Sequence, residues 1–239
     1  MVSDRIHKTL EYKSQIHQMD LRRLGKSHED DPLSNHITFV PETEQIRGIN
    51  TLLMSPGLDR EEFLFYFDRL AVMLIEQATN VSSCFSSCDV ETPVPGESYH
   101  GLRLAGEMSA VVVLRGGSCL ETGLKRVIPD CRTGRMLIQT NFRSGEPELH
   151  YYKLSDDIAK HQCVLLLDVQ MSSGGAALMA VRVLLDHGVP EDSIVFVTYT
   201  AGKMGLNRLM SVYPDIQVVC CRLVGDLETR WVEDRYLGC

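Results

Sequence analysis

Cys163-Val-Leu-Leu-Leu-Asp168-Val-Gln-Met-Ser-Ser-Gly174-Gly175 opens on an apolar run, Val164 to Leu167, that ends on an acid. After the two glycines comes Ala176-Ala-Leu-Met-Ala-Val-Arg-Val-Leu-Leu185, rich in good helix formers. Strand, acid, small hydroxyl residues, glycines and helix make a loop suited to a phosphate. Backbone N–H groups at a helix N-terminus point outward unpaired and carry partial positive charge. Glycines let the backbone close around an anion, and Ser172 and Ser173 can donate hydroxyl hydrogen bonds. Asp168, at the strand end, is placed for a sugar hydroxyl or a metal ion. An ordinary strand-to-helix turn uses the same residue types. The chain has no G-x-x-x-x-G-K-[ST] and no G-x-G-x-x-G, which argues against a P-loop kinase or a dinucleotide-dependent dehydrogenase within these residues.

Working outward, apolar runs alternate with helical periodicity. Strands are predicted at 37–40, 102–104, 110–114, 135–139, 149–153, 163–168, 194–199 and 216–220. Helices are predicted at 42–54, 59–78, 120–127, 175–187 and 203–212, with Asp59 placed to cap the second. This alternation predicts an α/β fold, a parallel sheet with helices on both faces. Ligands in such sheets bind beyond the C-terminal strand ends, where Arg115 and Asp168 fall. Residues 1–30, with an apolar stripe over 4–24 and the polar breaker 25–32, read as an N-terminal helical arm, and residues 31–239 as the main domain. Ser82 to Ser87 is the most linker-like segment.

The 239 residues suffice for one substantial core. A formal charge of −8 without a basic block argues against nucleic acid or an anionic membrane as main partner. No run of eighteen apolar residues occurs, so the chain reads as soluble and intracellular, in the cytoplasm or also the nucleus. Its eight cysteines lack the paired spacing of a zinc site, and Cys119, Cys131 and Cys163 lie in or beside apolar stretches as small hydrophobes. No metal ligand set emerges from spacing.

Several separated motifs carry a family resemblance over about Glu44 to Cys239. The Asp168–Gly175 segment resembles the phosphoribosyl-pyrophosphate (PRPP) loop of the uracil phosphoribosyltransferases, of type I phosphoribosyltransferase fold. Leu114-Arg115-Gly116-Gly117 is similar to that family's turn after an earlier strand. Met136-Leu-Ile-Gln139 and Gly145-Glu-Pro-Glu-Leu-His-Tyr-Tyr-Lys-Leu154 resemble its dimer arm and flap. Val181-Arg-Val-Leu-Leu-Asp-His-Gly-Val-Pro190 and Ala201-Gly-Lys-Met-Gly205 also have counterparts. The wording is nearest to the C-terminal domains of eukaryotic uridine kinases.

The resemblance implies a pyrimidine-salvage reaction, uracil and PRPP giving UMP and pyrophosphate, with Mg²⁺ accompanying PRPP. It implies PRPP contacts from Arg115, Asp168, Met171, Ser172, Ser173, Gly174, Gly175 and Ala176, with Arg115 on pyrophosphate and Asp168 on the ribose hydroxyls. It also implies a homodimer or tetramer through 136–154, where Leu149, Tyr151 and Tyr152 would otherwise be exposed, and a uridine kinase domain as a further partner. Departures are specific. Thr140 stands where the family has a second pyrophosphate-gripping arginine. The uracil-recognition segment is shortened by about nine residues relative to the family, so Arg230, Trp231 and Val232 fall on it. For an effector nucleotide, Arg60 matches the family's arginine and Pro56 replaces its lysine. His150 and His187 read as solvated or packed histidines. These departures leave open an alternative: a phosphoribosyltransferase-fold module that binds PRPP or a nucleotide and regulates or scaffolds a uridine kinase.

Overall fold

The protein is described from a computed structural model that covers residues 31–82, 84–141, 146–225 and 230–238. The expected arm, 1–30, lies outside these residues. Among the described residues there are ten strands: β1 Ile37–Phe39, β2 Phe85–Glu91, β3 Ser98–Leu104, β4 Met108–Leu114, β5 Arg132–Thr140, β6 Pro147–Lys153, β7 Cys163–Leu167, β8 Gln170–Met171, β9 Ile194–Gly202 and β10 Gln217–Val224. Six α-helices accompany them: α1 Glu44–Leu53, α2 Arg60–Val81, α3 Glu121–Val127, α4 Gly175–Asp186, α5 Lys203–Val212 and α6 Val232–Leu237.

The main sheet has the order β1-β10-β9-β7-β4-β5-β6, with β8 added beside β9. Its pairings are parallel except β5 with β6, which is antiparallel. The expected parallel sheet is thus present, with one antiparallel edge strand, β6. The cause is the short link after Thr140: a parallel neighbour needs a crossover of a dozen or so residues, whereas Pro147 already begins β6. The core obeys the two-residue strand period. Val111, Val113, Val164, Leu166 and Phe196 pack on the face covered by α4 and α5, while Ala110, Val112, Leu165, Leu167 and Val197 pack on the face covered by α1, α2 and α3. Asp59 caps α2 as expected, accepting from the Glu62 N–H at 2.8 Å.

Two regions differ from the sequence reading. The linker-like segment begins a hairpin, β2 with β3, separate from the main sheet. Its alternating small polar residues hide the strand pattern. In the expected dimer arm Leu149 is buried within this chain and Tyr152 packs edge-on against His187, with ring centroids 5.1 Å apart. Among the described residues the two most exposed large apolar side chains sit instead on the hairpin, Tyr99 at 64% and Leu102 at 69%.

Candidate functional site

Strands β4 and β7 are adjacent, and the chain leaves them toward opposite sides of the sheet, β4 to β5 one way and β7 to β9 the other. This switch point opens a crevice at their C-terminal ends. Gly117 and β7 meet there backbone to backbone: a Cβ on Gly117 would lie 2.2 Å from the Leu167 carbonyl oxygen. The peptide bond between Leu114 and Arg115, at the head of that turn, is cis.

The loop after β7 forms the floor. Gly174 adopts φ +75°, a conformation suited to glycine, and turns the chain into α4. The first helical hydrogen bond is donated by Leu178 to the Gly174 carbonyl, so the N–H groups of Gly175 to Ala177 have no partner within the helix. From outside, the Arg208 guanidinium donates to the Ser173 carbonyl at 3.0 Å. Gly205 presses against the loop so closely that a Cβ there would lie 2.0 Å from the Ser172 carbonyl oxygen.

Above this floor lies a cleft of about 1020 Å³. Arg115, Asp168, Met171, Ser172, Ser173, Gly174, Gly175 and Ala176 all line it, so the structure gathers the whole set expected for PRPP. Thr140, His150 and Arg230 line it as well. Its lining cations of the Lys/Arg type, among the described residues, are Arg115 and Arg230; its carboxylates are Glu148, Asp168, Glu233 and Asp234.

Both arginines are engaged. Arg115 Nη2 lies 2.8 Å from Glu233 Oε1, and Arg230 Nη2 lies 3.2 Å from Asp168 Oδ2. Arg230 also donates to the Gln170 carbonyl at 3.0 Å. The Gln170 side-chain oxygen accepts the N–H groups of Trp231 and Val232 at 3.0 and 2.9 Å. Gln170 and Asp168 thus latch the C-terminal segment onto the loop. Asp168 is 3% exposed, and burial pushes its carboxyl above the ordinary 3.8; Arg230 opposes that rise and Glu233 adds to it. Its other oxygen, Oδ1, has no hydrogen-bond partner among the described residues.

The residues placed at the base-recognition segment divide. Arg230 enters the cleft. Trp231 turns away and sits edge-on to Phe63 and Tyr199, at 6.1 and 6.5 Å, and Val232 is fully buried. Arg60 donates to the carbonyls of Tyr236 and Leu237 at 3.1 and 3.2 Å, at the end of α6. His150 borders the cleft 3.8 Å from Glu148, whereas His187 ends α4 with Nδ1 at 2.7 Å from the Val183 carbonyl. Sequence reasoning missed Glu233 and Gln170. Gln170 was inside the quoted loop, but neither had a motif to mark it.

The family model described as UPRTase, uracil phosphoribosyltransferase, matches residues 40–231, from the end of β1 to the latch. The chain belongs to the uracil phosphoribosyltransferase family. Uridine-cytidine kinase-like 1 of Mus musculus is 38% identical over 221 residues, covering 92% of this chain and 39% of its own length. Uracil phosphoribosyltransferase of Dictyostelium discoideum is 33% identical over 202 residues, covering 84% of this chain and 90% of its own length. The chain therefore spans 38–53% of the length of the uridine kinase relatives it matches, among them uridine kinase of Saccharomyces cerevisiae at 31% identity and 50% of that protein. The solved AQ2163 protein of Aquifex aeolicus matches with a TM-score of 0.70 at 20% identity, covering 84% of this chain and 97% of that one, which shows the fold alone. Among the described residues no helix is long and apolar enough to cross a membrane.

Proposed function

We propose that this cleft binds PRPP and transfers its phosphoribosyl group to uracil, giving UMP and pyrophosphate. The observation that carries the reading is the convergence of a side-chain-free N–H cradle, Asp168 and Arg115 on one switch-point cleft. The 172–175 backbone takes the 5′-phosphate. Asp168 takes the ribose hydroxyls, and Arg115 takes the pyrophosphate with its planar guanidinium. The C1–O bond to pyrophosphate breaks as the bond from C1 to the uracil nitrogen forms, and the proton on that nitrogen passes to the released pyrophosphate or to water; positioning and charge neutralisation supply most of the rate.

Mg²⁺ fits this donor set. The unpartnered Asp168 Oδ1 offers a hard oxygen ligand, direct or through water, and Mg²⁺ takes most of its shell from substrate phosphates and water. Bound, it neutralises the pyrophosphate. Ribose and Arg230 compete for Asp168, so in this account substrate entry lifts Arg230 and with it the segment that Gln170 holds.

A second reading is favoured by the latch itself. With the N–H groups of Trp231 and Val232 taken by Gln170, the base side of the cleft has fewer donors for uracil. In that reading the chain is a nucleotide-binding module that regulates or scaffolds a uridine kinase domain. Homodimer or tetramer assembly, through the exposed hairpin, accompanies either reading. The test is pyrophosphate release and UMP formation from PRPP, Mg²⁺ and uracil, beside calorimetry of the same sample. UMP formation supports transfer. PRPP binding without UMP supports the module, and absence of PRPP binding overturns the proposed transfer.

A further inference from the structure

The opposite end of the sheet carries a second cluster of potential ligands. Glu107 immediately precedes β4, and the segment Asp157–His161 immediately precedes β7. The Gln162 N–H donates to the Glu107 carbonyl at 2.9 Å, which fixes the two segments side by side. A single 3₁₀ turn, Ile158–Lys160, lies between Asp157 and His161 and brings these two side chains together. One ligand atom each from Glu107, Asp157 and His161 lies within 4.8 Å of the others.

His161 makes the cluster more than an acidic patch. Its side chain is 2% exposed, yet neither ring nitrogen has a hydrogen-bond partner among the described residues. A buried imidazole whose nitrogens lack a hydrogen-bond partner is unfavourable unless something binds them. Nε2 stands 3.4 Å from Glu107 Oε2 and 3.4 Å from Asp157 Oδ1. Tetrahedral coordination with bonds of about 2.0–2.2 Å places neighbouring ligand atoms about 3.3–3.6 Å apart.

We propose that Glu107, Asp157 and His161 form a binding site for a first-row divalent metal ion. One imidazole and two carboxylates suit Zn²⁺ or Mn²⁺ and leave room for water in the remaining positions. Ser155 Oγ bonds the same Oδ1 that faces His161, which orients the ligand. Arg132 lies 2.8 Å from the other oxygen, Oδ2, and 3.5 Å from Glu107 Oε2. Its positive charge opposes a metal ion and sets the affinity at a modest level. A bound ion would tie the loop before β4 to the turn before β7, far from the cleft. Its role is structural.

The test is calorimetric titration of the metal-free chain with Mn²⁺ and with Zn²⁺, beside thermal unfolding. Mn²⁺ is the deciding probe, because the seven described free cysteines can compete for zinc. The expected results are one Mn²⁺ per chain and a Tm rise of about 5–10 °C at a hundred times Kd. Affinity should fall at least about tenfold in both Glu107→Gln and His161→Gln, and rise several-fold in Arg132→Gln. Glu107 is exposed, so its variant folds even if the buried histidine tolerates no change. Absence of saturable Mn²⁺ binding, or binding unchanged in either ligand variant, overturns the site.

Discussion

Across one cleft, the loop Val169–Gly174 is shaped by backbone contacts, while the tail Arg230–Gly238 opposite it is anchored by side chains. The loop owes its form to Gly174 at φ +75° and to the close approach of Gly205. The tail is held by Arg230 on Asp168, by Gln170, by Arg60, and by Arg235, whose guanidinium donates to the carbonyls of Leu53, Ser55 and Leu58 and lies over Phe63. A site made of backbone N–H groups tolerates changes in its neighbours' side chains, because its donors do not depend on them. A site made of side chains is rewritten by a few substitutions. In this molecule the glycine loop keeps its backbone donors, while the opposite wall carries Arg230, with Trp231 packed away from the cleft against Phe63 and Tyr199.

The largest effect is expected from the loop. In Gly205→Ala the new methyl meets the Ser172 carbonyl, and backbone must move. We expect PRPP affinity to fall about 100-fold through the loss of two or more charge-assisted N–H contacts. Stability should fall by about 1–3 kcal/mol. Calorimetry and urea unfolding check both figures, and unchanged affinity would break the claim that backbone geometry makes the site. The tail supplies the opposite profile. Arg235→Ala should cost about 3 kcal/mol in urea unfolding through lost carbonyl contacts, with PRPP affinity changed less than about threefold because it lies outside the cleft.

Next in size is Arg115→Met. It should weaken pyrophosphate binding by about 1.5–3 kcal/mol, read by calorimetry with Mg²⁺ and pyrophosphate alone. A smaller effect concerns pH. The native carboxyl of Asp168 is raised above 3.8, chiefly by burial. Its contribution to stability is therefore full below that value and lost as pH rises through the native one. Asp168→Asn lacks this loss, so its unfolding free energy relative to the parent chain should increase from pH 4 toward neutrality. A difference that stays flat would contradict the burial of an ionisable group there.

Much of this was legible beforehand, for physical reasons. Short, continuous apolar runs such as Val111–Val113 and Val164–Leu167 suit strands covered on both faces. The helix capped by Asp59 and the loop 168–175 announced themselves through local chemistry. Strand β2 did not, because Ser86, Ser87 and Cys88 carry no apolar alternation, and of its partner β3 only 102–104 was read as a strand. The Arg115–Glu233 and Arg230–Asp168 pairs join residues 118 and 62 positions apart, respectively (233 − 115 and 230 − 168), a separation no spacing rule reads. His161 was silent for the same reason: its partner Glu107 comes from another strand end.

The central claim is that ribose displaces Arg230 from Asp168 and so moves the tail, and the chain provides its own reporter. Trp231 is the single tryptophan, adjacent to Arg230 and hydrogen-bonded through its N–H to Gln170. Its fluorescence should be followed while Mg²⁺ and PRPP are titrated into the full chain, with calorimetry on the same preparation. The account predicts a saturable change in Trp231 emission with the same midpoint as the calorimetric one, absent in Asp168→Asn. Calorimetric binding with no change in Trp231 emission would mean that PRPP enters without opening the latch, and would contradict the account.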